Sequence, residues 1–311
     1  MKIVFMGTPD FAVPCLRNLA ESEYEIAAVF TQPDKPKGRG YKMIPTPVKA
    51  AALDYDIPVY QPLSLRKGDD ASNALELLRK IDPELIVVVA YGQILPKEIL
   101  DLPKYGCINI HASLLPAYRG AAPIQWSVLN GEKVTGVTSM LMAEGLDTGD
   151  MLLKRETEIG ENETASSLHD RLSIIGAEIL LDTVKGIEEG SIIPEVQDDL
   201  LSSYASRITK DMSELNFDKS AKELHNIIRG ITGFTTIDGK RLKVYDSRIT
   251  EISNAQRFEN GTIIDTNEFI VKCGDGMGLK FCEIQPEGKK RMKTEDYLRG
   301  KKIDSGTILG K

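Results

Sequence analysis

Short apolar runs alternate with amphipathic stretches through the first half of the chain. Residues 85–90 read Leu-Ile-Val-Val-Val-Ala, and such a nearly continuous apolar run is typical of a strand buried on both faces of a parallel sheet. Similar patterns predict further strands at 2–6, 25–30, 108–110 and 136–142, and helices at 10–21, 48–55, 71–81, 122–129 and 164–189. This alternation predicts an α/β fold with a Rossmann-like, doubly wound sheet.

The pattern changes after Gly190. Residues 191–206 contain a proline and show no strong period, which suits a linker. One amphipathic helix is predicted at 220–229, and short apolar runs separated by turn residues follow at 241–245, 261–265, 269–273 and 279–284. That spacing predicts a small, OB-like β-barrel. We therefore predict an N-terminal α/β domain over residues 1–189, a linker over 190–206 and a C-terminal barrel domain over 207–311.

Composition excludes several classes of protein. Of the 311 residues, 41% are hydrophobic and 27% are charged, which is ordinary for a globular protein with a buried core. The first apolar run ends at Gly7 and is too short for a signal peptide, and the sequence has no apolar stretch of about 18 residues. We therefore expect a cytoplasmic protein without membrane association. The four cysteines form no Cys-x-x-Cys pair, so neither a metal site nor a disulfide is expected.

Charge is distributed unevenly between the two predicted domains. The formal net charge of −7 argues against a general nucleic-acid binder. However, residues 207–311 carry 20 Lys and Arg against 16 Asp and Glu, whereas residues 1–206 carry 19 against 30. A basic C-terminal domain could meet a polyanion, but an excess of this size is also within ordinary variation. Charge alone leaves both interpretations open.

The first candidate for chemistry is a polar pair on a predicted strand. Asn109 and His111 are two residues apart, so their side chains point to the same face, between the apolar Ile108 and Ile110. They lie at the C-terminal end of the strand, where open α/β sheets bind ligands. Leaving such polar groups unpaired in a core costs about 1–3 kcal/mol each. A functional site is one interpretation, and a structural pair that caps the turn is the other.

The second candidate is an acidic residue between glycines. Asp147 lies in the sequence Gly-Leu-Asp-Thr-Gly at 145–149, just after the predicted strand at 136–142. It could orient or charge an imidazole, although an aspartate in a tight turn is also common. An amide, an imidazole and a carboxylate, without an indicated Ser or Cys nucleophile, suit direct acyl transfer to an amine. The Asn109 amide and a protonated His111 could donate hydrogen bonds to the oxyanion that develops.

These segments also carry a family resemblance. Asn-x-His-x-Ser-Leu-Leu-Pro at 109–116, Tyr-Arg-Gly at 118–120 and the 145–149 motif together resemble the 10-formyltetrahydrofolate-dependent formyltransferases. The resemblance implies 10-formyltetrahydrofolate as the formyl donor and a formyltransferase catalytic domain at 1–189. It implies a catalytic set of Asn109, His111 and Asp147. It also implies folate contacts at Ser113, Leu114, Leu115 and Pro116. With one indicated site histidine and no clustered ligands, the sequence implies no metal.

The N-terminal segment narrows the choice of formyl acceptor. Phe-Met-Gly-Thr-Pro-Asp-Phe-Ala-Val-Pro at 5–14 resembles the start of methionyl-tRNA formyltransferases, and it lacks the G-x-G-x-x-G fingerprint of dinucleotide binding. A Pro- and Gly-rich loop follows, with the cations Lys35, Lys37, Arg39, Lys42 and Lys49 in or beside it. Composition alone favours a solvated, mobile loop. The resemblance implies instead a loop that enters the tRNA acceptor stem, with Arg39 as a contact.

The resemblance covers nearly the whole chain and implies a tRNA-binding C-terminal domain. The chain departs from the family at Phe217, where a tryptophan is usual, and at Ile231–Phe234, including Gly233, where a Pro-rich turn is usual. The implied reaction gives N-formylmethionyl-tRNA and tetrahydrofolate from initiator methionyl-tRNA, and we expect a monomer. Alternatives are a formyltransferase for a sugar nucleotide or other small amine, a formyltetrahydrofolate hydrolase, and a non-enzymatic RNA-binding protein.

Overall fold

The computed structural model describes residues 1–37 and 42–310, with the backbone alone at Lys37 and Lys42. The chain divides into two compact units. The first comprises Met1–Pro123, Val134–Glu158 and His169–Ala205, and the second comprises Ile124–Lys133, Ile159–Leu168 and Ser206–Lys311. In the described ranges the α-helices are α1 (Val13–Ala20), α2 (Pro47–Asp54), α3 (Gly68–Ile81), α4 (Lys97–Leu100), α5 (Pro123–Leu129), α6 (Ala165–Glu189), α7 (Ala221–Ile231) and α8 (Thr294–Gly300).

A mixed sheet forms the centre of the first unit. The strands of this unit are β1 (Lys2–Gly7), β2 (Glu25–Phe30), β3 (Lys35–Lys37), β4 (Lys42–Ile44), β5 (Val59–Tyr60), β6 (Leu85–Val89), β7 (Cys107–His111), β8 (Arg119–Gly120), β9 (Val134–Leu141), β10 (Met151–Glu158) and β11 (Tyr204–Ala205). Seven of these described strands pair in the order β10-β9-β7-β6-β1-β2-β5. The four strand pairs from β5 to β7 are parallel, whereas the pairs β7–β9 and β9–β10 are antiparallel.

Burial explains the apolar composition of the central strands. Every residue of β6 is buried, because β6 lies between β1 and β7. The chain moves outward from β1 through β2 to β5, then returns to place β6 on the other side of β1. Ligands of such sheets bind where the strand order reverses, beyond the carboxyl ends of the strands. The carboxyl ends of β1 and β6, with that of β7 beside β6, are therefore the expected location of a site.

The second unit is built around an antiparallel sheet. Its strands are β12 (Gly233–Ile237), β13 (Lys240–Thr250), β14 (Ile263–Asp265), β15 (Ile270–Lys272), β16 (Gly278–Pro286) and β17 (Met292–Lys293). Within the described residues they pair in the order β12-β13-β16-β15-β14, with β17 on β16. Helix α7 starts at a capping box, in which Ser220 and Glu223 satisfy each other's backbone N–H groups. Phe217 is buried in the core of this unit.

The predicted fold class, an α/β domain followed by a β domain, is confirmed. Each helix and strand predicted in the first half is present, with ends that move by a few residues. Several elements escaped prediction. β10 was missed because most of its residues after Met151 are polar or charged and only half-buried or exposed, so it has no apolar period to detect. The segment predicted as a linker contains the short strand β11, which pairs with β8 of the first unit.

Candidate active site

Strand β7 positions the predicted amide and imidazole. Asn109 pairs with Val88 of β6 and Met140 of β9, so neighbours on both sides fix its backbone. His111 is the last residue of the strand. Ile108 and Ile110 on the opposite face are buried. The Asn109 side chain is half-buried and has no hydrogen-bond partner among the described residues, so its donor N–H₂ group is available to a ligand.

The His111 ring lies between a backbone carbonyl and a carboxylate. It is only 6% exposed, and its Nε2 lies 2.9 Å from the carbonyl oxygen of Tyr118. A carbonyl only accepts, so Nε2 carries the proton in this arrangement. Nδ1 lies 3.7 Å from Oδ2 of Asp147. A second proton on Nδ1 makes the ring an imidazolium that points a donor toward this carboxylate.

Asp147 reaches the ring from the loop after β9. Its Oδ2 accepts a hydrogen bond of 2.8 Å from the N–H of Gly120, which fixes the orientation of the carboxylate. Its backbone has a φ of 54°, in the left-handed region that residues with a Cβ rarely adopt. The structure thus brings His111 and Asp147 together from distant parts of the sequence. Asn109 lies on the same strand face as His111.

Sequence analysis missed the side chains that hold these loops. The guanidinium of Arg119 is bound by Gln197 and Asp199, both from the segment predicted as a linker. Gln197 also donates to backbone carbonyls of the 145–149 loop. The N–H of Tyr118 donates to Oγ of Ser203. The Tyr-Arg-Gly motif at 118–120 was visible in the sequence, but nothing near Gln197 indicated its partner.

The turn predicted to contact folate is held by its own hydrogen bonds. Ser113 is fully buried and donates from Oγ to the carbonyl of Ala117, 2.7 Å away. The N–H of Leu115 donates to Oγ1 of Thr138. Leu115 is buried as well, whereas Leu114 and Pro116 are half-buried. The exposed surface of this turn therefore comes from Leu114 and Pro116.

The predicted basic loop is a β-hairpin, β3 paired with β4. Lys35 is exposed on it, the side chains of Lys37 and Lys42 are not described, and Arg39 lies outside the described residues. Lys49, on α2, lies at its base. Its ammonium is 2.7 Å from both Asp34 and Gln61, and the hydrogen bond from Lys49 holds the pKa of the Asp34 carboxyl below its ordinary value.

The described part of the chain lacks two features, a cluster of metal ligands and a membrane-spanning helix. No group of three or more His, Cys, Asp or Glu side chains is placed to hold a metal ion there. None of the described helices combines the length and apolar character needed to cross a membrane. Burial raises the pKa of the Cys15 and Cys107 thiols to about 12, so neither is prepared to act as a thiolate nucleophile.

Known proteins match this chain along its full length. The family model described as formyl transferase matches residues 1–184, and the model for the formyl transferase C-terminal domain matches residues 207–302. The methionyl-tRNA formyltransferase of Alkaliphilus oremlandii is 51% identical over 100% of both chains. That of Ruminiclostridium cellulolyticum is 48% identical, again over 100% of both.

Solved structures share the fold at lower identity. An N-formyltransferase from Helicobacter canadensis, crystallised with folinic acid and dTDP-3-aminofucose, is 21% identical with a TM-score of 0.67, covering 92% of this chain and 99% of that one. A sugar 3N-formyl transferase, crystallised with dTDP and 5-N-formyl-THF, is 24% identical with a TM-score of 0.66, covering 93% and 99%. These two likenesses concern the fold alone. With family models over both parts of the chain and relatives near half identity along its full length, the chain belongs to the formyl transferase family, among the methionyl-tRNA formyltransferases.

Proposed function

We propose that this protein transfers the formyl group of 10-formyltetrahydrofolate to the free amino group of initiator methionyl-tRNA. The observation that carries the proposal is the His111 ring, held between a backbone carbonyl and the Asp147 carboxylate. The same strand face bears the amide of Asn109, for which the described part of the chain offers no hydrogen-bond partner. Full-length relatives at 48–51% identity, named methionyl-tRNA formyltransferases, support the acceptor.

The proposed reaction is direct attack of the amine on the formyl carbon. A bond forms between the methionyl nitrogen and that carbon, and the bond from the carbon to N10 of the folate breaks. Negative charge develops on the formyl oxygen, where the Asn109 amide donates a hydrogen bond. Each such donor typically contributes about 100- to 1000-fold in kcat.

His111 and Asp147 complete the proposed site. Because Nε2 is bound to the Tyr118 carbonyl, Nδ1 is the ring nitrogen left to interact with reacting groups. Its 3.7 Å separation from Asp147 is longer than a hydrogen bond, so the Nδ1–H of an imidazolium could also donate to an oxyanion placed beside the carboxylate. Asp147 balances the charge of the ring and assists removal of the proton lost by the amine. N10 takes up a proton as tetrahydrofolate leaves.

The basic hairpin and the C-terminal unit are proposed to bind the tRNA. Lys35 is exposed on the hairpin, and Lys37, Arg39 and Lys42 join it in the sequence. We propose that Lys49 also contacts the tRNA, from the base of the hairpin, where Asp34 and Gln61 hold its ammonium in place. For the folate we propose contact with the turn at 113–116, chiefly through Leu114 and Pro116. We also propose a cytoplasmic monomer with a catalytic domain over 1–189 and a tRNA-binding domain over 207–311, joined by residues 190–206, of which the part up to Ala205 packs with the first unit.

A formylation assay tests the proposed function. Incubation with 10-formyltetrahydrofolate labelled in its formyl group should transfer label to initiator methionyl-tRNA. Uncharged tRNA should take up none, because it lacks the amino group, and elongator methionyl-tRNA should take up less. Transfer to a dTDP-amino sugar in preference to tRNA would favour the small-amine alternative. Release of free formate without an acceptor would favour the hydrolase.

Arg39→Ala should weaken the use of methionyl-tRNA while leaving folate use largely intact. A lost phosphate contact raises the KM for tRNA and reduces the salt dependence of binding. We expect the KM for tRNA to rise by about tenfold, with a KM for 10-formyltetrahydrofolate within about twofold of the wild type. Arg66→Ala, an exposed arginine outside the hairpin, is the matched control. An unchanged KM and salt dependence in Arg39→Ala would refute the role of the hairpin.

A further inference from the structure

Gln197 lies where three chain segments of the first unit meet. Its Oε1 accepts a hydrogen bond of 2.9 Å from Nε of Arg119. Its Nε2 donates to the backbone carbonyls of Asp147 and Gly149, at 2.8 and 2.7 Å. The residue is 7% exposed. Carbonyls only accept, so the amide has a single orientation that satisfies all of these contacts.

The loop that Gln197 binds needs support from outside itself. Asp147 has its backbone in the left-handed region, with a φ of 54°. Glycines flank it at 145 and 149, so the loop has unusual conformational freedom. Yet the Asp147 carboxylate must keep its position 3.7 Å from Nδ1 of His111. Two hydrogen bonds to main-chain oxygens on either side of Thr148 hold the backbone from which this carboxylate extends.

Arg119 offers a second route by which Gln197 could act. Its guanidinium also binds Asp199, at 2.8 Å, but the Asp199 side chain is 83% exposed. An ion pair with such an exposed partner contributes little. Gln197 acts directly on the backbone of the Asp147 loop through its two carbonyl bonds, whereas its bond to Arg119 reaches the site only through β8.

We propose that Gln197 is a positioning residue, which acts on catalysis by fixing the backbone of Asp147. This inference rests on the proposed function, since it assigns a role in that reaction. The mechanism requires a supported carboxylate, because misplacing a reacting group by about 1 Å can cost about 100-fold in rate. Gln197 comes from the segment 191–206, which carries none of the motifs of the site.

Two near-isosteric variants distinguish an effect of Gln197 through the loop carbonyls from an effect through Arg119. Gln197→Glu keeps an acceptor for Arg119 but turns a carboxylate oxygen toward the two carbonyls. Gln197→Leu removes all three hydrogen bonds without adding charge. If Gln197 acts through the loop, both should lower kcat by about one to two orders of magnitude, with Gln197→Glu the worse, and KM for either substrate should change less than about threefold. Asp199→Ala is the control and should retain kcat within about twofold.

A double-mutant cycle tests whether the effect passes through Asp147. In an Asp147→Ala background, Gln197→Leu should cost less than about threefold further, because the group that it positions is already absent. A merely structural defect would lower the rate by the same factor in both backgrounds, and that result would overturn the proposal. So would a Gln197→Glu variant with wild-type kcat.

Hydrogen exchange supplies a readout that does not depend on the reaction. Amides in peptides that cover 143–150 should exchange at least tenfold faster in Gln197→Glu than in the wild type, while exchange in β6 stays unchanged. If the wild type fails to formylate methionyl-tRNA, the proposed function fails, but the exchange result still decides whether Gln197 fixes the loop. If Gln197→Leu does not fold, Gln197→Glu carries the test. Unchanged exchange at 143–150 would overturn the proposal.

Discussion

Replacing Asn109 by alanine should lower kcat for formylation by about two orders of magnitude or more and leave the protein at least as stable as the wild type. The catalytic loss follows from the loss of one oxyanion donor. The stability follows from the structure, because the Asn109 side chain is half-buried without a described hydrogen-bond partner. Removing a polar group of this kind breaks no hydrogen bond to the residues that the structure describes. Single-turnover formylation and thermal unfolding measure the two effects.

Two further variants sharpen this expectation. Asn109→Asp keeps the shape but loses the N–H₂ group, so it should be at least as impaired as Asn109→Ala. Asn73→Ala changes an exposed asparagine on α3 and should leave kcat within about twofold, since a surface helix tolerates alanine well. Near-normal turnover in Asn109→Ala would remove Asn109 from the mechanism.

Gly149→Ala should impair both folding and activity. A Cβ at this position would lie 1.8 Å from the carbonyl oxygen of Leu141, at the end of β9. The contact is with backbone, so only movement of the loop or the strand can relieve it. We expect the free energy of unfolding to fall by about 2–4 kcal/mol, and kcat to fall by at least about tenfold as Asp147 moves. Chemical denaturation and the formylation assay measure these changes.

Gly145→Ala, in the same loop, is the matched control. The atoms nearest to its Cβ would belong to the side chain of Thr148, which is exposed and can rotate. We therefore expect a loss of stability below about 1 kcal/mol. Equal effects of the two substitutions would show that the close approach of Gly149 to β9 does not matter.

Much of the fold could be predicted because the signals are local. The apolar run at 85–90 became the buried strand β6, and the alternation around Asn109 and His111 became one face of β7. Both follow from side-chain periodicity within a few residues. The edge strand β10, with its mostly polar residues, carried no such period and was missed.

The contacts that build the site could not be predicted in the same way. Arg119 and Gln197 are 78 positions apart, and Gln197 and Asp147 are 50 apart. No spacing rule connects residues at such distances. A hydrogen-bonding amide in a polar stretch gives the same sequence signal whether it faces solvent or two buried carbonyls. The motifs at 109–120 and 145–149 identified which side chains meet, but not what holds them there.

The return of the chain onto β8 sets where the first unit can be excised. A truncation after α6 would retain Asn109, His111 and Asp147 yet discard Gln197, Ser203 and the strand Tyr204–Ala205 that binds β8. Such a fragment would keep every reacting side chain but lose the hydrogen bonds that hold the backbones of Tyr118 and Asp147. If this unit is joined to another acceptor-binding domain, the fusion point should therefore follow Ala205.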